Sequence, residues 1–373
     1  MRGRVLVFGA VALASVIANF AIANTTNARV FDTSGSLELS SDITDGIYVQ
    51  SGTNITLNLN DITVSPEAGK DTIYIEKGAT LTLTGTGTIT NVAGKANIFN
   101  NGKLYVNGNI TIKHAGDYYA ILNHGELADI KSATITAEPP TNSVIANGYY
   151  SYGNNNNHRL GYVEGTNFDA PVMVLYDGVK VDLGITENCT IKNDDNGYMT
   201  IHGGYYSAKN ACALQNANVA EINGGTFIQK LNDKAIITNM PLNDSTNKGK
   251  LSITGGEFFY NSEDDKYFIE NTDANFRPVE LEGVDIVISG GTFSTNPKAE
   301  WIDPEVNFAL INNRWVVATP TEPEEEPVDG PVDNDIVNPS TADNMPIFII
   351  ALIGSILVLG ATIYAYKKSR SEA

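Results

Sequence analysis

This sequence predicts an all-β chain wound as a right-handed parallel β-helix. The prediction rests first on a phrase that recurs in residues 72–138. IYIEKG at 73–78 leads into LTLTG at 81–85 and TIT at 88–90. NIFNNG at 97–102 leads into LYVNG at 104–108 and ITI at 110–112. AILNHG at 120–125 leads into LADI at 127–130 and ATIT at 133–136. Gly78, Gly102 and Gly125 are 24 and 23 residues apart, the constant period of a solenoid. Second, the residues between these glycines alternate apolar and polar, which is the period of a strand and not of a helix. Third, glycine and asparagine recur where the chain must bend, and both accept the left-handed backbone of a sharp corner. Each coil should then lie ~4.8 Å above the last.

Composition agrees. Apolar residues make up 42% of the 373, enough for a large core, and only 18% are charged. Val, Ile, Thr and Tyr are abundant, which suits stacked strands. The formal net charge of −19 argues against nucleic acid, whose phosphates need basic patches. It argues equally against capture of anionic polymers unless a cation mediates. Two cysteines, Cys189 and Cys212, are not a disulfide framework. They lie 23 residues apart, close to the coil period, so they could stack and bridge; the plainer alternative is two buried thiols.

At the N-terminus, Arg2 and Arg4 precede an apolar run over 5–18, followed by AIA at 21–23. This reads as a secretory signal peptide over 1–23, with an uncleaved anchor as the alternative. Residues 24–36 are polar and aperiodic and read as an arm or cap. Alternation begins with LEL at 37–39 and continues through IYV at 47–49, ITLNL at 55–59 and ITV at 62–64. The β-helix is expected over 37–318. Pro139 and Pro140 interrupt it, because proline cannot donate to a ladder. The stretch 139–171 reads as an inserted loop rich in Tyr and Asn, and the period resumes with VMVLYDG at 172–178.

From there a second phrase dominates: IHGGYY at 201–206, INGGTF at 222–227, ITGGEF at 253–258 and ISGGTF at 288–293. The glycine pair makes a tight corner and the aromatic points inward. Tyr206, Phe227, Phe258 and Phe293 are thus expected to form an internal stack. FALINNRWVV at 308–317 reads as a closing hairpin turning at Asn312 and Asn313.

Residues 319–346 hold an acidic, proline-rich stalk that cannot form a core. Residues 347–366 carry no charge, and at ~1.5 Å per residue they span a ~30 Å hydrocarbon layer as a transmembrane helix. Lys367, Lys368 and Arg370 in the tail 367–373 would hold that end in the cytoplasm.

Asn338, Pro339, Ser340 and Thr341, the apolar span and the basic tail together resemble the C-terminal sorting signals of Gram-positive surface proteins. In that family a transpeptidase cuts after the motif Thr and joins it to the cell wall. The commonest form is L-P-x-T-G; here Asn338 replaces Leu and Ala342 replaces the Gly. A single-span protein that is never cut is the alternative. The isoleucine-x-Gly-Gly-Thr-Phe-Ser phrase and closing strand at 288–317 are similar to repeat-rich Gram-positive surface proteins with pectate-lyase-like β-helices. That resemblance implies fold and location, and no enzyme.

Catalytic candidates are few. Glycoside hydrolysis needs carboxylates converging on one cleft. Asp194 with Asp195, Asp264 with Asp265, and Asp177 with Asp182 are adjacent or nearly so, and read as solvated corners. NTD at 271–273 echoes a pectin-hydrolase motif without its Gly-His-Gly and Arg-Ile-Lys companions. His124 takes a position held by Lys77 and Asn101 in the sister phrases, so it reads as a surface position. No three or four ligands with zinc spacing accompany it or His114, and neither metal nor cofactor is expected. The expectation is a non-catalytic protein of the outer cell surface, held at the membrane or wall, that binds extracellular glycan or protein. Tyr149, Tyr150, Tyr152 and Tyr162, beside Asn155 and Asn156, form the expected contact patch. A surface-anchored polysaccharide lyase or glycoside hydrolase, and a structural wall component, are the alternatives.

Overall fold

A computed structural model describes residues 29–138, 143–148, 170–182, 188–194, 196–209, 211–230, 235–240, 249–260, 268–273, 279 and 284–318. All of them lie in the first of two compact units, Met1–Pro320. The expected signal peptide, stalk, sorting motif and membrane span fall outside the described residues. Among the described residues no helix is long and apolar enough to cross a membrane.

The described chain is all-β and its sheets are parallel, an arrangement compatible with a parallel β-helix. Ten three-residue strands, from Arg29–Phe31 through Ile73–Ile75 and Ile121–Asn123 to Ile269–Asn271, form a first sheet. Each but the first and last pairs in register with the strand one rung earlier and one rung later, as Ile73 with Ile47 and Ile98. The remaining strands fall into two columns of a second sheet. Lys103–Val106 pairs with Thr80–Thr84 and Leu127–Glu138, and Asn109–Ala115 pairs with Thr86–Thr90 and again with Leu127–Glu138. A rung therefore holds three short strands, or two where one long strand such as Leu127–Glu138 runs through both columns.

Alternation decides which side chains enter the core. Leu81, Leu104, Ala128 and Met173 stack in one buried column, and Leu83, Val106, Ile130 and Leu175 in the next. The expected internal aromatic stack is present. Ring centroids lie 5.2 Å apart for Tyr206–Phe227 and 5.0 Å for Phe227–Phe258 and Phe258–Phe293. The buried Tyr206 hydroxyl donates to the Gly203 carbonyl at 2.9 Å, so burial leaves no orphan there. The corner glycines also pile up: Gly125 packs on Gly102, which packs on the Glu76–Ala79 turn containing Gly78. At the far end Asn307–Ile311 and Arg314–Ala318 form the antiparallel hairpin, with Asn312 and Asn313 at φ 52° and 59°.

Several expectations need correction. Arg29–Phe31 and Gly35–Glu38 already pair in register with later strands, so the rungs begin inside the stretch 24–36 that reads as an arm. Ile145–Asn147 is a rung strand within the expected insertion 139–171, paired to Ile121–Asn123 and Ile191–Asn193. Three residues carry too little alternation to be seen between prolines and a Tyr-rich run. The phrase VMVLYDG does not end at a corner: Gly178 pairs with Ser132 past a β-bulge, inside the strand Val172–Asp182. Cys189 and Cys212 form a disulfide, their Cα atoms 4.5 Å apart on neighbouring rungs.

A ladder of buried asparagines ends the first sheet. Asn100 donates to Asn123 at 2.7 Å, Asn123 to Asn147 at 2.8 Å, and Asn147 to Asn193 at 3.0 Å. Asn193 continues to Asn216 at 2.9 Å and Asn216 to Asn239 at 3.0 Å. The same amides donate to backbone carbonyls across the corner, as Asn123 to Val172 at 2.9 Å. Each thereby satisfies corner carbonyls that the sheets leave unpaired.

Candidate functional site

The glycine-pair corners have a local cause. A Cβ on Gly224, Gly255 or Gly290 would collide with the carbonyl of His202, Asn223 or Thr254 on the rung below. The second glycine of each pair, Gly204, Gly225, Gly256 and Gly291, has φ of 105°, 99°, 102° and 111°, backbone that only glycine adopts without strain. Four successive rungs thus present bare backbone at the same corner.

That bareness leaves an open groove of about 690 Å³. Its floor is Gly204, Gly224, Gly225, Gly255, Gly256 and Gly291. Along one side stands a single in-register column: Lys180, Tyr205, Thr226, Glu257 and Thr292. Asp177 completes one end, its exposed carboxylate over Gly203 where a Cβ would otherwise be. Before each glycine pair in the chain comes a polar side chain, exposed at His202, Asn223 and Thr254 and half-buried at Ser289. Asn223 bonds His202 at 3.3 Å and Thr254 donates to Asn223 at 2.9 Å, extending the polar surface beyond the floor.

The chemistry on offer is hydroxyl, phenol, carboxylate and one ammonium. Lys180 Nζ lies 5.9 Å from the Tyr205 ring centroid, a cation–π distance. Thr226 donates to Glu257 at 3.2 Å. Asp177 shares a rung with Lys180, and Glu257 is three steps further along that column. At ~4.8 Å per step the two carboxylates are roughly 10–14 Å apart along the stack. Paired glycosidase carboxylates work at about 5–9.5 Å.

The other candidates are scattered. Asp182 is not among the residues that line the groove: Lys230 ion-pairs with it at 2.5 Å and Ser207 donates to it at 2.7 Å, and both hold its carboxyl below the usual range. Asp194 is not a solvated corner. It is fully buried, and burial pushes its carboxyl up to about 6 despite nearby Lys192. His124 is buried too, edge-on to Phe99 at 5.3 Å, which corrects its reading as a surface position. His114 is buried between Asn97 at 2.8 Å and the Tyr118 carbonyl at 2.9 Å, and burial holds its imidazole below the usual range. Both histidines serve packing. Among the described residues no group of three or more His, Cys, Asp or Glu could hold a metal ion. Tyr149, Tyr150, Tyr152, Tyr162, Asn155 and Asn156 lie outside the described residues, as do Asp195, Asp264 and Asp265.

Sequence reasoning missed the groove because it read the glycine pairs as corners only. The signal was the residue after each pair, which alternation turns outward beside its inward aromatic. No protein-family model matches the chain, and no curated protein or solved structure matches it either.

Proposed function

We propose that this chain is a non-catalytic binding protein of the outer cell surface: a right-handed parallel β-helix that receives its ligand in the glycine-floored groove. The reading is carried by the groove itself. Four rungs give up their side chains at one corner, the column beside it offers an aromatic ring, hydroxyls and a carboxylate, and Asp177 adds a second carboxylate at one end. The wide carboxylate separation favours binding over hydrolysis. The address is read from the chain ends: export by 1–23, a stalk over 319–346, and a hold on the membrane through 347–366 or on the wall through Thr341. The Cys189–Cys212 disulfide suits an oxidising, extracytoplasmic space. Similarity to Gram-positive surface proteins with such β-helices supports both halves.

The test is a binding screen of the full chain against surface glycans and surface proteins, repeated with Thr226→Arg. Thr226 is half-buried and outward-facing, so arginine there fills the groove while leaving the core intact. Circular dichroism and the thermal midpoint should not change, while affinity for the captured ligand should fall at least tenfold. Undiminished binding by this variant would remove the groove from the proposal. Mass analysis of wall-bound material ending at Thr341 would decide between wall and membrane attachment.

A further inference from the structure

We infer that the groove takes an extended, uncharged polysaccharide lying along the stack of rungs. This deepens the reading above and rests on the groove being the working surface.

The floor first excludes one ligand class. Thr226 N–H donates to the Gly204 carbonyl, Glu257 N–H to that of Gly225, and Thr292 N–H to that of Gly256, each at 2.8 Å. These corner groups are committed between rungs. A peptide that adds as a strand needs a continuous edge of free donors and acceptors, and here the carbonyls of Gly204, Gly225 and Gly256 are already taken. Recognition therefore falls to side chains and shape.

The side chains suit hydroxyl-rich chains. Glu257 and Asp177 are exposed acceptors for hydroxyl donors, and Thr226, Thr292 and Tyr205 can both give and accept. The ring of Tyr205 gives the apolar face of a sugar a surface to rest on. Two carboxylates against one ammonium leave the lining negative within a chain of formal charge −19. Uronate and sulfated chains are repelled by that field, while neutral ones are not.

Geometry sets the length. The column Lys180, Tyr205, Thr226, Glu257, Thr292 spans four steps between rungs. At ~4.8 Å each this is roughly 19 Å of straight groove. An extended pyranose unit is about as long as one step is high, so about four units are covered, one per step.

Calorimetric titration of the full chain tests this with neutral gluco-, manno- and xylo-oligosaccharides of two to eight units. Oligogalacturonates of the same lengths and an extended peptide complete the panel. Affinity for a neutral series should climb with each unit to about four and then level off. Uronates should bind at least tenfold more weakly, and Glu257→Gln should narrow that gap. Uronates binding as tightly as neutral chains, or affinity indifferent to length, would overturn the inference. If a protein or peptide ligand is captured instead, and Thr226→Arg blocks it, the polysaccharide inference fails while the groove stands. If Thr226→Arg leaves every binding event intact, the groove reading fails with it.

Discussion

Asp194 is fully buried just past Asn193, and among the described residues its Oδ1 has no hydrogen-bond partner. A charged carboxylate there is penalised by desolvation, and Lys192 only partly offsets it. The folded value of about 6 stands above the ordinary 3.8, so the folded state holds the proton more tightly than the unfolded one. Stability is then undiminished below about pH 4 and falls as pH rises through 6. The two-unit difference corresponds to about 3 kcal/mol. Urea midpoints at pH 4.5 and 7.5 should show about two-thirds of this loss in the parent chain, and Asp194→Asn should remove most of it. An unchanged slope in the variant would assign the pH dependence elsewhere. Asn193, next to it, makes the complementary case. Its amide donates to Asn216 and to the Gly197 carbonyl in the interior, and to the half-buried Val219 carbonyl. Asn193→Ala orphans those partners, and each buried orphan costs ~1–3 kcal/mol. A sharp drop in thermal midpoint is expected; Asn107→Ala, at an exposed position outside the ladder, should be near neutral.

The strands and corners show what alternation can and cannot convey. The inward columns and the aromatic stack were legible because period-2 patterning names both the strand and its buried face. The asparagine ladder was not. A single Asn closing a three-residue strand looks like a turn residue, and only the register shows that six of them hydrogen-bond in line. Burial of Asp194 and His124 was hidden for a related reason: alternation says which way a side chain points, not whether something covers it. The glycine pairs were legible as corners, but their shared groove appears only when the rungs are stacked. The corners can be tested as elements. Gly225→Ala places a Cβ at φ 99° against the backbone of Gly203, with strain of ~1–3 kcal/mol. Gly35→Ala is the control, since nothing lies within 4 Å of its new Cβ and its φ is ordinary. Comparable midpoints for the two variants would mean that these corners are not strained.

At the scale of the described unit, stability is built from contacts between neighbouring rungs, so a local cross-link acts locally. The Cys189–Cys212 bridge joins two adjacent rungs across 23 residues of chain and lies buried with Ala211. Closing a loop of that size restricts the unfolded chain by roughly 3 kcal/mol. Neighbouring hydrogen bonds, such as Thr190 N–H to the Cys212 carbonyl at 2.9 Å, hold the same two rungs together once folded. The double variant Cys189→Ala, Cys212→Ala should therefore fold to the same circular dichroism spectrum and bind ligand normally. Its hydrogen exchange should quicken around Ile191–Asn193 and Leu214–Asn216, leaving Ile73–Ile75 and Ile98–Asn100 as protected as before. Loss of protection spread evenly over all rungs would show a single cooperative block instead of a chain of neighbours. The same bridge reports the address: material taken from the native cell surface should contain no free thiol under denaturing conditions. Two titratable thiols there would contradict both the disulfide and an oxidising destination.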